Sequence, residues 1–131
     1  MSKTQTVSKL KKKLDALFSQ YVRRKDADHL GFISCYTCGV SKHYKEMHAG
    51  HFMSRKHLMT RWHLTNVKPQ CPGCNLFRAG EQYKFAIYLD QREGEGTAEE
   101  MLRLSNLTRK MNKLDYLDEI RAAKELIESL D

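Results

Sequence analysis

The sequence predicts an α+β fold, with a small core of short strands and a helix flanked by one helix at each end of the chain. Three observations support this prediction. Apolar residues recur at helical spacing within the first 25 residues and again from residue 114 onward. Two Cys-x-x-Cys pairs frame the middle of the chain, and strand-like runs lie beside them. Helices that are separated in this way from a group of strands are typical of the α+β class.

The N-terminal segment, residues 1–30, is predicted to form one basic helix from about residue 5 to residue 25. Its apolar stripe consists of Val7, Leu10, Leu14, Leu17, Phe18 and Tyr21. Its other face carries Lys9, Lys11, Lys12, Lys13, Arg23 and Arg24. Such a face is typical of a solvated helix surface and equally of contact with a DNA backbone, and the pattern does not choose between them.

The central segment, residues 31–92, contains the predicted core. The predicted strands are 31–35, 47–53 and 66–71. The basic stretch 54–65 between the last two is predicted to be a loop. A helix is expected from Cys74, with a break or bend at Gly80 and a further helix to about residue 91.

The C-terminal segment, residues 93–131, is predicted to be a helical extension. After a glycine-rich loop, Thr97-Ala-Glu-Glu100 fits a capping box, with Thr97 as N-cap and Glu100 reaching back to it. The apolar stripe of a last helix consists of Leu114, Leu117, Ile120, Ile127 and Leu130. This stripe fits packing on the N-terminal helix and fits dimer formation equally well.

Composition and charge narrow the classes of function. A chain of 131 residues suits one domain with a small core, a size that often needs a metal for stability. It holds 23 Lys and Arg against 16 Asp and Glu, and the basic excess lies in the first 80 residues. Nucleic acid is the usual partner of such a basic region, although a merely soluble basic protein has the same charge.

Since no apolar run suits a transmembrane helix or a secretory signal, we expect a cytoplasmic protein without a membrane partner.

The four cysteines are predicted to hold a structural zinc ion. Cys35, Cys38, Cys71 and Cys74 match the Cys-x2-Cys…Cys-x2-Cys pattern of a tetrahedral four-thiolate site. In a reducing cytosol such pairs favour metal over disulfide, and a redox pair is the alternative. Gly39 fits a zinc knuckle, in which glycine lets backbone amides turn toward the thiolates. Because four thiolates close the coordination sphere, this zinc is expected to be structural rather than catalytic.

Three polar residues near the cysteines are candidates for catalysis. His51 and Asn66 lie between the two pairs, and Asn75 follows the last cysteine. A hairpin holding the first two, closed by zinc and followed by a helix near Asn75, would form a ββα-metal, treble-clef-like core. In this core His51 would be the general base, Asn66 would tie the hairpin loop, and Asn75 would hold one Mg²⁺ or Mn²⁺ against a scissile phosphate. The alternatives are a structural histidine and asparagines that serve as turn or cap residues.

The motifs around the cysteines are similar to those of a known family. They are Cys35-Tyr-Thr-Cys38-Gly39, Ala49-Gly-His51-Phe52, Ser54-Arg55 with His57, Arg61-Trp62, Asn66, and Gln70-Cys71-Pro-Gly-Cys74-Asn75. On these motifs residues 14–110 resemble the phage NinG/Rap recombination proteins, within the larger group of HNH (ββα-metal) endonucleases. The resemblance implies a phage or prophage protein, active in the host cytoplasm, that cleaves branched DNA such as D-loops and Holliday junctions.

The resemblance implies the three catalytic roles given above, with Asn75 in place of the final histidine of the HNH motif. Many HNH enzymes have an acid or histidine directly before the base, where this chain has Gly50. Similar phage proteins have an acid three residues before the base, where this chain has His48. We hypothesise that His48 is a second ligand of the catalytic metal, brought into place by a β-bulge at Gly50. An imidazole ligand would favour Mn²⁺, Co²⁺ or Ni²⁺ over Mg²⁺. Whether Glu81, at a position where the family often has asparagine, also reaches the metal is left open.

Basic residues around the proposed site are candidates for contacts with DNA phosphates, which give affinity without reading sequence. These candidates are Arg55, Lys56, His57, Arg61, Lys68, Arg78 and Lys84. Trp62 suits stacking on an unpaired base at a junction and equally suits a place in the core.

A competing interpretation is a non-catalytic, zinc-containing module that binds DNA or a recombination partner. Its cysteines and charge would look the same, but it would have no need of His51 and Asn75 at these positions. A third interpretation is a phage regulator that acts through protein contacts of the last helix. A homodimer fits the endonuclease interpretation, since a junction-cutting enzyme benefits from two active sites, but the sequence does not show one.

Overall fold

The computed structural model describes residues 5–131, so the first four residues of the predicted N-terminal segment lie outside the described range. The helices are α1 (Val7–Arg24), α2 (Leu58–Arg61), α3 (Gln82–Glu93), α4 (Thr97–Ser105) and α5 (Lys113–Glu128). The strands are β1 (Phe32–Ser34), β2 (Ser41–His43), β3 (His48–His51) and β4 (Val67–Gln70). A 3₁₀ turn spans Tyr44–Glu46, and one wide π-type turn spans Gly73–Phe77. This mixture of helices and small sheets confirms the predicted α+β class.

Helices α1 and α5, from opposite ends of the chain, pack on each other and form the largest part of the core. Leu10 and Leu14 of α1 meet Tyr116, Ile120 and Ala123 of α5, and all five side chains are buried. Full burial of a leucine side chain contributes about 1.5–3 kcal/mol to folding. Part of the apolar stripe predicted for the last helix therefore packs on the N-terminal helix of the same chain. Within residues 5–131, no helix is both long enough and apolar enough to cross a membrane.

The strands form two separate two-stranded antiparallel sheets. β1 pairs with β2, and the first cysteine pair lies in the connection between them. β3 pairs with β4 along its whole length. The β3–β4 hairpin lies against α1, where Phe18 and Val22 pack on Val67. This contact places α1 beside the hairpin that carries the predicted catalytic histidine.

Three local expectations differ from the structure, each for a physical reason. The sequence does not predict β2, because Ser-Lys-His lacks the apolar alternation of a strand. The stretch predicted as a loop, 54–65, contains the single turn of α2, which is too short to give a periodic signal. The helix expected from Cys74 is only one wide turn. It cannot continue, because Ala79, Gly80 and Glu81 have φ angles of 50°, 83° and 50°.

The capping box predicted at Thr97 and Glu100 is wrong. A glycine occupies the N-cap position of α4, and the Thr97 hydroxyl donates to a carbonyl of the preceding loop at 2.6 Å. Glu100 instead forms an ion pair with Arg103. A capping box is found at the start of α5, where the side chains of Asn112 and Asp115 each accept from the backbone N–H of the other.

Candidate functional site

The four cysteine thiols come together, although residues 39–70 separate the two pairs. Their Sγ atoms all lie within 4.8 Å of one another. Sγ of Cys38 and Sγ of Cys71 are 3.7 Å apart. A tetrahedron with Zn–S bonds of about 2.3 Å has edges of about 3.8 Å, so this spacing fits zinc. Cys35, Cys71 and Cys74 are buried and Cys38 is exposed. The cluster could hold a zinc ion, as predicted, and four thiolates would leave no open position for a substrate.

Hydrogen-bond donors surround the thiols. The Cys74 N–H donates to Sγ of Cys71 at 3.4 Å, and Nη2 of Arg78 donates to Sγ of Cys74 at 3.3 Å. Burial opposes ionisation of Cys35, yet hydrogen bonds from backbone N–H groups outweigh it and lower the pKa of this thiol to about 6. A backbone N–H group favours the thiolate of Cys38, but burial and hydrogen bonds with the other three thiols raise its pKa to about 12. Metal binding would release the protons that remain on such a cluster.

A cavity of about 680 Å³ brings together several of the predicted catalytic residues. Its walls come from α1, β3, the loop after β3 and the segment between Asn75 and Gln82. Met47 lines the cavity and also packs on the buried cysteines, so the cysteine cluster supports one wall. His48, His51 and Asn75 all line this cavity.

His51 ends β3 and has its ring held by a backbone carbonyl. Its Nε2 lies 2.9 Å from the carbonyl oxygen of Arg61. Because a carbonyl only accepts, Nε2 carries the proton, and a neutral ring then has a free electron pair on Nδ1. Burial lowers the pKa of His51 below its usual value of 6.5. The positive charge of Arg55 acts in the same direction, while the Arg61 carbonyl, the charge of Asp15 and a backbone hydrogen bond with Ala49 oppose it. A neutral imidazole near pH 7 is the state that a general base requires.

His48 and Asn75 are in direct contact. Nδ1 of His48 and Nδ2 of Asn75 are 3.0 Å apart, so the hairpin meets the turn that contains the last cysteine. The bulge predicted at Gly50 is wrong. From His48 to His51 each residue of β3 has a single partner in β4, so the pairing holds no extra residue. Both histidines nevertheless line the same cavity.

Gly50, directly before the proposed base, has no room for a side chain. A Cβ atom at this position would lie 1.8 Å from Oε1 of Gln70. Gln70 is fully buried, and its Nε2 donates to the Thr37 hydroxyl at 3.0 Å and to the Gly80 carbonyl at 2.9 Å. These bonds hold the Gln70 side chain in place between the first cysteine pair and the segment after the last cysteine. A metal ligand at position 50 is therefore excluded sterically.

Asn66 is not among the residues that line the cavity, and it ties the loop together from inside. It is fully buried. Its Oδ1 accepts from the Met53 N–H at 2.7 Å, and its Nδ2 donates to the carbonyls of Met53 and Thr60, both at 3.0 Å. The bond to Thr60 fixes the backbone beside Arg61, whose carbonyl holds His51. Its contribution to catalysis stays a prediction.

The predicted DNA contacts in the loop after β3 differ in their availability. Arg55 and Lys56 are exposed, and His57 is half-buried at the start of α2. Arg61 is engaged within the protein, because its guanidinium donates to both carboxylate oxygens of Asp15, at 3.0 and 2.6 Å. Its side chain is only 14% exposed. Arg61 therefore has a structural role in binding Asp15, and its contact with a DNA phosphate stays a prediction.

Three other predicted contact residues also form ion pairs within the chain. Nζ of Lys68 lies 2.8 Å from Glu93. Nε of Arg78 lies 3.3 Å from Glu81, whose carboxylate is also 3.6 Å from Lys84. Glu81 is not among the residues that line the cavity. Its carboxylate is engaged by Arg78 and Lys84 and not by the cavity that holds the proposed metal ligands. The indole N–H of Trp62 donates to Asp15 at 2.9 Å, and its ring is half-buried beside α5. Of the two alternatives for Trp62, the structure supports the place in the core.

Asp15, Arg23 and Gln82 line the cavity wall, and the sequence analysis does not predict them as residues of the catalytic site. Arg23 donates to the Tyr44 carbonyl at 3.0 Å and so joins α1 to the 3₁₀ turn before β3. Asp15 is the acceptor for Arg61 and Trp62 described above. One feature of the sequence could have drawn attention to Asp15: it is the only acidic residue among the first 25 residues of the chain.

Comparison with protein families gives a match that covers the whole chain. The model of the family described as Bacteriophage Lambda NinG protein matches residues 1–131. The chain belongs to the NinG family. Membership of the NinG family implies a phage protein related to recombination. Comparison with curated proteins returns no match, and comparison with solved structures returns none either.

Proposed function

We propose that this NinG-family protein is a metal-dependent endonuclease of the HNH (ββα-metal) type that cuts branched DNA during phage recombination. The observation that carries the proposal is the cavity shared by His48, His51 and Asn75, one wall of which packs on the cysteine cluster. The order of elements fits the motif. The β3–β4 hairpin carries the proposed base, and the wide turn at Gly73–Phe77 takes the place of the helix that carries the ligand.

His51 is proposed to take a proton from the attacking water. A phosphodiester is an anion and repels hydroxide, so the nucleophile is best formed beside the phosphorus by a neutral base. The Nε2–H bond to the Arg61 carbonyl leaves the Nδ1 electron pair for this step. The lowered pKa keeps the ring neutral at physiological pH.

His48 and Asn75 would hold the divalent cation. Adjacent ligands of an octahedral ion with bonds of about 2.1 Å lie about 3.0 Å apart. The observed separation of the His48 and Asn75 atoms is also 3.0 Å, and a half-turn of the amide presents Oδ1, the atom of asparagine that binds cations. A bound Mg²⁺ or Mn²⁺ would supply stabilisation of the charge that develops on the phosphate and on the leaving oxygen. The imidazole of His48 tilts the preference toward Mn²⁺.

Exposed residues around the cavity offer a surface for DNA. Arg55 lines the cavity, and Lys56 follows it in the exposed loop. Phe77 lies in the same turn as Asn75, and Tyr83 lies in the first turn of α3; these two side chains are 83% and 81% exposed. Aromatic rings that are free on a surface next to basic side chains are suited to stacking on unpaired bases. We assign to Phe77 and Tyr83 the stacking role that the sequence suggests for Trp62.

The test of the proposal is cleavage of a labelled four-way junction beside a linear duplex of matched sequence. The zinc-loaded protein is assayed without added cation, with Mg²⁺ and with Mn²⁺. We expect cutting only with added cation and faster cutting of the junction. Equal cutting of both substrates would retain the nuclease and remove the branch selectivity. Binding without cutting under every condition would favour the alternative, a non-catalytic zinc-containing DNA-binding module.

A further inference from the structure

We propose that Asp15 is a positioning residue for His51, acting through Arg61 to set the tautomer and orientation of the imidazole. Asp15 lies on α1, and Arg61 lies in the loop after β3. The role of His51 as base rests on the proposed function, whereas the tautomer of its ring can be measured without any activity.

Both carboxylate oxygens of Asp15 have donors. Oδ1 accepts from Nε of Arg61 at 3.0 Å and from the indole N–H of Trp62 at 2.9 Å. Oδ2 accepts from Nη2 of Arg61 at 2.6 Å. The side chains of Asp15 and Arg61 are 20% and 14% exposed, so water screens this pair only weakly. Such bidentate pairs combine strength with a defined geometry. Because both oxygens are engaged, Asp15 is not placed as a further metal ligand, although it lines the cavity.

Arg61 links Asp15 to His51. Asp15 binds the side chain of Arg61, and the main chain of Arg61 binds His51. The Arg61 carbonyl is the acceptor for Nε2 of His51 at 2.9 Å. On one side of Arg61 the Thr60 carbonyl is fixed by Asn66, and on the other side Trp62 is fixed by Asp15. Residues 60–62 are thus held at three consecutive positions, two of which depend on the Asp15 carboxylate.

The position of the Arg61 carbonyl decides which nitrogen of His51 carries the proton. A neutral imidazole is protonated on either nitrogen, and the acceptor at Nε2 selects the Nε2–H form. If the loop moves, the Nδ1–H form is no longer disfavoured, and this form lacks the electron pair that the base needs on Nδ1. Loss of a group that orients a functional residue in this way lowers activity by about 10- to 100-fold.

The experiment compares Asp15→Ala and Asp15→Asn with the wild type. Asp118→Asn is the matched control, because Asp118 forms an exposed ion pair with Arg121 on α5, with both side chains 71% exposed. The readouts are the nitrogen chemical shifts of the His51 ring, assigned with a His51→Ala variant, the thermal melting curve of the zinc-loaded protein, and kcat and KM for junction cleavage.

We expect the wild type and Asp118→Asn to show the Nε2–H tautomer. Asp15→Ala should show a mixture of tautomers, and its kcat should fall about 10- to 100-fold with little change in KM. Asp15→Asn keeps the shape but replaces one acceptor by a donor, so it should lie in between. Should Asp15→Ala fail to fold, Asp15→Asn decides by the same readouts.

The proposal is overturned if folded Asp15 variants keep the Nε2–H tautomer and the wild-type kcat. If the wild type cuts no DNA, the proposed nuclease function fails, and the tautomer measurement still decides whether Asp15 positions His51. The two failures are therefore distinguishable.

Discussion

Nδ1 of His48 lies 3.0 Å from the side-chain amide of Asn75, although the two residues are 27 positions apart in the chain. One residue belongs to the first strand of the hairpin, and the other directly follows the last cysteine. Their contact joins the hairpin to the cysteine cluster at the edge of a cavity that also contains His51.

His48→Ala tests whether His48 binds the catalytic cation. Loss of one of two protein ligands should slow junction cleavage by at least about tenfold and reduce the preference for Mn²⁺ over Mg²⁺. The measurement is the cleavage rate as a function of metal concentration for each metal. His29→Ala, at an exposed position in the turn before β1, is the control. Equal rates for the wild type and His48→Ala in every metal would rule out this role.

Cys71→Ser tests the structural zinc. A four-thiolate zinc contributes on the order of 10 kcal/mol to folding, so loss of one buried thiolate should abolish cooperative unfolding and zinc retention. Metal content per chain and a circular-dichroism melt measure the two effects. Ser41→Ala, an exposed position in the hairpin beside the cluster, should behave like the wild type. A Cys71→Ser protein that retains one zinc and melts normally would contradict the account.

The pKa of His51 predicts the pH dependence. Burial lowers this pKa below 6.5, so as the pH falls the unfolded chain binds a proton at His51 before the folded protein does. The stability associated with this group is therefore fully present above about pH 6.5 and is lost as the pH falls through the folded-state pKa. The acid limb of the cleavage rate should likewise have its midpoint below 6.5. An NMR titration of His51 with a midpoint at or above 6.5 would refute this prediction.

Gly50→Ala should destabilise the protein because its Cβ would lie 1.8 Å from Oε1 of the buried Gln70. Overpacking of this kind costs about 1–3 kcal/mol, which urea denaturation can measure. In a Gln70→Ala background the obstacle is gone, so the same change should cost much less. Wild-type stability of Gly50→Ala would show that the hairpin accommodates a side chain here. For the same reason, Gly50→Asp is not expected to improve metal binding.

Phe77→Ala tests the proposed stacking on unpaired bases. Stacking contributes about 1–3 kcal/mol per base, so affinity for a junction should fall by about 5- to 150-fold, with little change for linear duplex. Fluorescence anisotropy of labelled DNA measures both affinities. Leu102→Ala, at a half-exposed position on α4, is the control. If affinity falls equally for junction and duplex, or falls for neither, Phe77 does not provide the selectivity for junctions.

Regular spacing explains why much of the fold could be predicted. The stripe that includes Leu10 and Leu14 predicts α1, because helical periodicity is a local property of the sequence. The cysteine spacing likewise predicts the cluster, since four thiols in this pattern commonly form a tetrahedral zinc site. The strands β3 and β4 lie within the predicted ranges 47–53 and 66–71.

Long-range pairing explains what could not be predicted. Asp15 and Arg61 are 46 residues apart, and nothing in the local pattern of either shows that they meet. The backbone beyond the turn Gly73–Phe77 has positive φ angles at Ala79 and Glu81, and neither residue is the glycine that usually signals such a conformation. Because tertiary contacts decide these features, the sequence alone indicates Arg61 as a candidate DNA contact and does not show that it pairs with Asp15.

The most direct test of the central claim is single-turnover cleavage of a four-way junction by the wild type, His51→Ala and His29→Ala in Mn²⁺, with DNA binding and zinc content measured in parallel. We expect His51→Ala to bind the junction and zinc normally but to cut at least about 100-fold more slowly, because loss of a general base slows the chemical step. His29→Ala should cut at the wild-type rate. Cleavage by His51→Ala at the wild-type rate would contradict the assignment of His51 as the base.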